Sequence, residues 1–218
     1  MIKMKVLNLY AGIGGNRKLW DNEEVTAIEF NPAIAKIYQD FFPDDKMIVT
    51  DAHQYLLDHF LEYDFIWASP PCPSHSRVYR ATAGITKQNP IIYVDMRLYQ
   101  EILLLQTYFD GLWCIENVRT YYDPLIKPQE VGLHYFWANF IIRAKNYASR
   151  SHTASIKELE KVKGFDLSSY NGIDKRQVLR NCIKPGLGKL VLDSARGNTQ
   201  KTLAESVNSK SLRIDQNE

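Results

Sequence analysis

The sequence has few cysteines and no long apolar run. Its three cysteines, Cys72, Cys114 and Cys182, lie far apart and form no CxxC pair, a spacing that disfavours a disulfide framework or a thiolate zinc site. No uninterrupted apolar stretch approaches the roughly 18 residues that a bilayer span needs, and the chain does not open with a signal-peptide pattern. These absences predict a cytoplasmic protein with reduced thiols and no membrane role.

A strong excess of charge is also missing. The 27 basic and 25 acidic residues leave a formal net charge of +2, so any affinity for DNA must come from a local patch. The five histidines show no ligand spacing, and we predict no metal site. Apolar residues make up 45% of the 218-residue chain, enough to bury one core. We predict a single catalytic domain over residues 1–196 and a flexible, aromatic-free tail over 197–218.

Short apolar runs alternate with helical patterns along the chain, which is typical of βαβ units around a parallel sheet. The pattern therefore predicts an α/β fold with a doubly wound, mostly parallel sheet of the Rossmann-like type. The predicted strands are Met4 to Tyr10, Val25 to Phe30, Met47 to Thr50, Phe65 to Ser69, Leu112 to Val118 and His134 to Ile142. The predicted helices are Ala33 to Phe42, His53 to Leu61, Met96 to Phe109, Ile156 to Val162, Arg176 to Ile183 and Leu187 to Ala195.

Glycines and a carboxylate follow the first two predicted strands. The first strand leads into Gly12-Ile13-Gly14-Gly15, and the second carries Glu29 at its end. Ligands of open parallel sheets gather at the carboxyl ends of the strands, where glycine lets the backbone approach them closely. Glu29 can accept hydrogen bonds from two ribose hydroxyls. The combination favours a nucleoside cofactor, although a dinucleotide site or a plain tight turn has the same glycine pattern.

A thiol and a second carboxylate follow the next two predicted strands. Cys72 lies in Ser69-Pro70-Pro71-Cys72-Pro73, a stiff loop at the same edge of the sheet. As a nucleophile it needs a basic neighbour, a favourable dipole or proton loss coupled to substrate binding. Glu116 ends a buried run, where desolvation can raise its proton affinity. We predict that both are catalytic; the alternatives are a packing cysteine and an ion-paired or capping glutamate. Cys114 and Cys182 are predicted to be packing residues.

In this order the motifs resemble the cytosine-5 DNA methyltransferase family, over about the first 140 residues and again near residues 176–183. The resemblance implies S-adenosylmethionine as cofactor. The residues that it assigns to cofactor binding are Tyr10, Ala11, Gly12, Gly14 and Gly15 in the loop, Glu29 at the ribose, Phe30 beside the adenine, Asp51 and Ala52 near the adenine amino group, and Ser69, Pro71 and Asn181.

The resemblance also implies a substrate and a mechanism. Cys72 would add to C6 of a cytosine that has left the DNA helix, while Glu116 binds N3 and the amino group, which activates C5 for methylation. Leaving the stack costs a few kcal/mol, which the pocket must offset. The residues assigned to the base or to DNA are Ser76, Arg77, Asn117, Val118 and His134, with Arg143, Lys145 and Arg150 in a minimal recognition insert over residues 143–155.

Three features depart from the family pattern. Pro73 stands where the family has glutamine, and Gly132-Leu133-His134 replaces an expected Arg-x-Arg pair, which leaves His134 as the one donor there. The recognition region is reduced to the short insert, and a solvated surface loop would have the same composition. So small a surface predicts modest sequence selectivity, or help from a second copy or an additional recognition subunit.

Two other functions are compatible with the sequence. One is a catalytically weak regulatory or DNA-binding subunit that keeps the fold. The other is an N6-adenine or N4-cytosine amino-methyltransferase, because Ser69-Pro70-Pro71 is similar to that family's signature, although Cys72 stands where its aromatic residue belongs. We rank both below a DNA (cytosine-5)-methyltransferase in a prokaryotic or viral intracellular setting.

Overall fold

The computed structural model describes residues 3–85, 87, 89–144 and 155–197. The strands within these ranges are β1 (Lys5–Leu9), β2 (Glu24–Glu29), β3 (Lys46–Val49), β4 (Phe65–Ala68), β5 (Leu112–Val118), β6 (Gln129–Val131) and β7 (His134–Ala138). The helices are α1 (Pro32–Phe41), α2 (Ala52–His59), α3 (Arg77–Thr82), α4 (Arg97–Tyr108), α5 (Ile156–Lys163) and α6 (Lys175–Asn181), followed by α7 over residues 185–197. Short 3-10 turns cover Arg17–Leu19 and Phe60–Glu62.

The seven strands form one sheet in the order β3-β2-β1-β4-β5-β7-β6. The five strands from β3 to β5 are parallel, whereas β7 runs antiparallel to both of its neighbours. The strand order reverses between β1 and β4, and ligands of such sheets bind beside this reversal, at the carboxyl ends of the strands. The glycine loop follows β1 and the Cys72 loop follows β4, so both border this point. The predicted doubly wound, mostly parallel α/β fold is confirmed.

Apolar side chains cover both faces of the sheet. Because side chains alternate along a strand, Val6 and Trp67 pack on one face with residues of α7, whereas Leu7 and Ile66 pack on the other face with α2 and α4. Strands that are buried on both faces are continuous apolar runs. This is why the sequence located β1, β2, β4 and β5 to within a residue at either end.

The last predicted strand was too long, and two short elements were missed. Strand β7 ends at Ala138 rather than Ile142, because the Asn139 side chain takes the place of backbone hydrogen bonds to β5. Its Oδ1 accepts the Trp113 N–H at 3.0 Å, and its Nδ2 donates to the Gly111 carbonyl at 2.8 Å. Strand β6 and helix α3 have three and six residues, too few to show a period. Within the described ranges, no helix combines the length and apolar composition that a bilayer span requires.

The first and last described residues lie close together, at the amino ends of the parallel strands. The Met4 N–H donates to Glu23 Oε2 at 2.8 Å, just before β1 and β2 begin. Arg196 in α7 donates to the Asp21 carbonyl at 2.9 Å and pairs with Glu23. Residues near 3 and 197 therefore meet at the edge opposite the glycine loop. The predicted tail lies outside the described residues from position 198 onward.

Candidate active site

The loop after β1, residues 10–15, forms an open surface at the carboxyl edge of the sheet, which we call the cradle. It closes as a turn in which the Gly14 N–H donates to the Ala11 carbonyl at 2.9 Å. Gly12 has a φ of +54°, and a Cβ there would meet nothing within 4 Å, so its backbone faces free space. Gly14 has a different reason to be glycine: a Cβ would stand 2.3 Å from the Phe42 ring, which packs beneath the loop. Gly12 thus faces a potential ligand, whereas Gly14 permits packing against α1.

The Glu29 carboxylate lies beside this cradle. Its Oε2 accepts the Gly12 N–H at 3.0 Å and its Oε1 accepts the Asn31 N–H at 2.9 Å. Each carboxylate oxygen has two lone pairs, so both can still accept from ribose hydroxyls. Next to it, Phe30 is 74% exposed although it is large and apolar. An orientated carboxylate and an uncovered ring beside open backbone fit the ribose and adenine of S-adenosylmethionine.

The remaining predicted cofactor residues line the same edge. Asp51 caps α2 through Oδ1, which accepts the Gln54 N–H at 3.0 Å, and Ala52 is buried behind it. Ser69 Oγ accepts the Trp67 indole N–H at 2.9 Å, and the exposed Pro71 follows in the same loop. Exposed Asn181 ends α6, beside Cys182, whose Sγ would lie 2.3 Å from a Cβ on Gly15. Asp51, Ala52, Ser69 and Pro71 thus follow the carboxyl ends of β3 and β4, and Asn181 adjoins the cysteine that lies against Gly15; their roles in binding stay predictions.

A buried network beneath the cradle was not predicted. Tyr10 has the left-handed φ of 55°, and its hydroxyl donates to Glu101 Oε1 at 2.5 Å. His53 Nδ1 lies 2.9 Å from the same oxygen, and Glu101 is 1% exposed. Burial, followed by the charge of Glu101, raises the pKa of Tyr10, so its hydroxyl stays protonated. The signal in the sequence was a carboxylate on the apolar face of α4, three residues after Leu98.

The loop that carries Cys72 is attached to the end of β5. Asn117 Nδ2 donates to the Pro70 carbonyl at 3.0 Å, Ser76 forms an isolated β-bridge with Thr120, and Arg77 Nε donates to the Thr120 carbonyl at 2.8 Å. These bonds fix the β4 loop against the neighbouring strand. They also account for three of the residues that the sequence assigned to DNA, since Ser76 caps α3 and Asn117 is only 1% exposed.

Cys72 and Glu116 act on each other electrostatically. Burial, and to a smaller extent the negative charge of Glu116, together raise the pKa of the Cys72 thiol to about 11. The thiol is therefore protonated at neutral pH. Glu116 is 6% exposed, and Val118 is half-buried at the end of the same strand. Cys114 and Cys182 are buried, as expected of packing residues.

A histidine completes this corner of the site. His134 opens β7 in register with Val118, and its Nδ1 lies 2.6 Å from Glu116 Oε1. Arg143 is not brought to the same place. Because β7 runs antiparallel to β5, the chain reaches Arg143 at the opposite edge of the sheet, where its N–H donates to Ser194 Oγ at 3.1 Å. Lys145 and Arg150, and most of the predicted recognition insert, lie outside the described residues.

Comparisons with known proteins agree with these motifs. The model of the family C-5 cytosine-specific DNA methylase matches residues 4–119 of the 218, more than half of the chain. The matched part runs from β1 to the end of β5 and includes the cradle, Cys72 and Glu116. No curated protein matches the chain.

Solved structures of methyltransferases are similar to parts of the chain. The Spodoptera frugiperda DNMT2 E260A/E261A/K263A mutant is 24% identical with a TM-score of 0.35, over 52% of this chain and 35% of that one. The Entamoeba histolytica methyltransferase EhMeth is 15% identical with a TM-score of 0.43, over 73% and 60%. An S-adenosylmethionine-dependent methyltransferase from Agrobacterium tumefaciens is 13% identical with a TM-score of 0.39, over 56% and 41%.

The residues matched by the family model include the glycine loop, Glu29, Cys72 and Glu116. The sheet places these residues at one edge. The cradle beside Glu29 and Phe30 suits the expected cofactor. The chain therefore belongs to the C-5 cytosine-specific DNA methylase family of methyltransferases, with S-adenosylmethionine as its cofactor.

Proposed function

We propose that this protein methylates carbon 5 of cytosine in DNA through a covalent bond between the Cys72 sulfur and C6 of the base. The observation that supports this most directly is the position of Cys72, fixed by the Asn117 bond to Pro70 and close enough to Glu116 for that charge to raise its pKa. A thiol and a carboxyl group near enough to act on each other in this way can engage one pyrimidine ring together.

Each residue has one chemical task in this reaction. The Cys72 thiol gives its proton to water, and the thiolate forms the S–C6 bond while Glu116 gives a proton to N3, so that the electron pair of the C5–C6 double bond becomes available at C5. S-adenosylmethionine, when bound, supplies the methyl group to C5. Water then takes the C5 proton, and the C–H electron pair re-forms the double bond as the S–C6 bond breaks. N3 returns its proton to Glu116, and the released thiolate takes a proton from water. The ring ends neutral with one hydrogen replaced by methyl.

The Cys72 pKa and burial shape how the substrate must enter. Because the thiol is half-buried, a cytosine stacked within a duplex could not reach it, and the base must turn out of the helix. Because its pKa is about 11 without substrate, the thiol loses its proton only as the base binds. This order protects the nucleophile from oxidation between turnovers, since the thiolate is the reactive form.

Trapping on DNA that contains 5-fluorocytosine tests the proposal. With tritiated S-adenosylmethionine, fluorine at C5 blocks the final elimination, so the wild-type chain should form a denaturant-resistant, labelled adduct. Cys72→Ser should form none. Cys114→Ala is the matched control, because this buried cysteine should leave trapping intact. An unchanged methylation rate in Cys72→Ser, or label on the N4 or N6 amino group of product nucleosides, would contradict the mechanism.

The same assay separates the other functions. The family match disfavours an amino-methyltransferase, and a regulatory subunit would not methylate DNA as a purified chain. Light scattering with and without DNA tests the predicted second copy, and gain of sequence selectivity with an added protein tests the predicted recognition subunit. The intracellular, prokaryotic or viral setting stays a prediction.

A further inference from the structure

Glu116 has one hydrogen-bonding side chain in the part of the chain that the structure describes, and this is His134. The distance between His134 Nδ1 and Glu116 Oε1 is 2.6 Å. The side chain of Glu116 is 8% exposed and that of His134 is 24% exposed. The imidazole therefore links a nearly buried carboxyl group to solvent.

The strand register produces this contact. Glu116 is opposite Phe136 and Val118 is opposite His134 in the antiparallel β5–β7 pair, so Glu116 and His134 are diagonal neighbours on one face. The Phe136 ring is fully buried, with its centroid 6.4 Å from that of His134. This packing limits the orientations available to the imidazole, so the ring keeps the same nitrogen toward Glu116.

We propose that His134 is the positioning residue of Glu116: the two side chains share one proton, and the imidazole holds this proton at Glu116 before and after each transfer to the base. The proposal rests on the proposed function. It also gives a meaning to the departure at Gly132-Leu133-His134. An arginine at this position could orient a carboxylate but not give up a proton, because guanidinium stays protonated, whereas imidazole exchanges protons near neutral pH.

The proton count closes over one turnover. As sulfur bonds to C6, Glu116 passes the shared proton to N3, which leaves the imidazole neutral and Glu116 as a carboxylate. When the S–C6 bond breaks, N3 gives the same proton back to Glu116, and the pair again holds one proton between its two atoms. His134 thus keeps a proton ready at Glu116 without a water molecule entering the pocket.

The neighbouring ionisable groups do not offer this exchange. On the β4 loop, Cys72 faces Glu116 with a thiol whose pKa is raised to about 11, and Cys114 on β5 is fully buried with a raised pKa. On α5, Lys163 donates to the Cys182 carbonyl, and its charge reaches Glu116 from there. On β6, Glu130 pairs with Arg119 at 2.8 Å. His134 is the one of these groups in hydrogen-bond contact with Glu116.

Histidine NMR of the full chain tests the shared proton without any DNA. Long-range 1H–15N spectra report which imidazole nitrogen carries the proton, and the His134 signal is identified by its loss in His134→Asn. Glu116→Gln should change the 15N shift of His134 Nδ1, since the shared proton loses its carboxylate partner. His59 is the matched control, because its Nδ1 also lies 2.6 Å from a carboxylate, that of Glu62; Glu62→Gln should move the His59 signal alone. His134 15N shifts that are identical in wild type and Glu116→Gln overturn the proposal.

Methylation rates then separate a proton relay from a plain structural contact. His134→Ala should lower the single-turnover rate by about 100-fold, with unchanged affinity for S-adenosylmethionine. His134→Asn keeps a donor near the Nδ1 position and should recover at least about tenfold of this loss. His134→Arg should recover no more of the rate than His134→Asn, because guanidinium can orient a carboxylate but gives up no proton. A rate equal to wild type in His134→Ala or in His134→Arg would overturn the relay.

These results also distinguish the two hypotheses. If the purified wild-type chain transfers no methyl group to DNA but the His134 15N shifts respond to Glu116→Gln, the proposed function fails and the proton pair stands. If methylation and trapping succeed but these shifts do not respond, the pair fails and the proposed function stands.

Discussion

The Asn117 side chain fixes the Pro70 carbonyl 3.0 Å away, and this bond connects the end of β5 to the loop that carries Cys72. Asn117 is 1% exposed, so water could not easily replace its side chain as a donor to the Pro70 carbonyl. Asn117→Ala should therefore lower the free energy of unfolding by about 1–3 kcal/mol. It should also lower the methylation rate of the folded enzyme at least tenfold, because Cys72 would no longer be held in one position.

Asn139 provides the matched control for this prediction. Its side chain also binds backbone, at Gly111 and Trp113, but at the opposite end of β5. Asn139→Ala should cost similar stability in urea unfolding while the rate per folded molecule stays near wild type. Equal rate losses in the two variants would mean that Asn117 acts through global stability alone.

The raised pKa of Cys72 predicts slow alkylation at neutral pH. Below a pKa of about 11, the thiolate fraction and hence the rate with iodoacetamide should rise about tenfold per pH unit. Glu116→Gln removes a negative charge, which lowers the pKa and speeds alkylation at each pH below it. Burial, the larger cause, remains, so the pKa should stay above the ordinary value of about 8.5. Mass spectrometry of the Cys72 peptide measures the rate, and a wild-type midpoint at the ordinary value would refute the prediction.

The exposed ring of Phe30 predicts a selective loss of cofactor binding. Phe30→Ala removes a stacking surface worth about 1–3 kcal/mol for a base, so calorimetry should show an affinity for S-adenosylmethionine that is weaker by about fivefold to 150-fold, with an unchanged melting temperature. Leu61→Ala serves as control, since Leu61 is 72% exposed compared with 74% for Phe30 but follows α2 in a 3-10 turn. The prediction fails if both variants bind the cofactor equally well.

Two glycines of the cradle should respond differently to alanine. Gly14→Ala places a Cβ 2.3 Å from Phe42, and the overlap and positive φ should cost about 2–4 kcal/mol of stability. Gly12→Ala meets no atom within 4 Å, so it should cost only about 1–2 kcal/mol, from its φ of +54°. Gly12→Ala should lower cofactor affinity more than it lowers stability, because the added methyl group occupies the open side of the loop. Thermal melts and calorimetry on both proteins provide the comparison, and an opposite ranking would count against it.

The sequence predicted the sheet and the position of Cys72 for a common reason. Strands such as β4 and β5 are buried on both faces, so they stand out as apolar runs, and the residues that follow them must meet at one edge. The order of Gly12, Glu29, Cys72 and Glu116 along the chain was therefore enough to place them near one another. The ends of strands that are followed by proline or glycine could be predicted without knowledge of tertiary contacts.

The pair formed by His134 and Glu116 could not be predicted in the same way. Its geometry depends on the register of β5 against β7, which is fixed by tertiary contacts such as those of Asn139. The Glu101 network was hidden for a related reason, since a buried carboxylate on α4 has meaning only once Tyr10 lies above it. Arg143 shows the converse: its basic surroundings suggested DNA, but the direction of β7 carries it to the other edge of the sheet.

The contact of Arg196 with Asp21 and Glu23 has a practical consequence for single-molecule work. Since residues near 3 and 197 meet at the edge opposite Cys72, a surface tether or fluorescent label near either position points the Cys72 edge toward solution. Immobilised enzyme should then capture long DNA as freely as enzyme in solution, which makes this geometry suitable for watching individual turnovers.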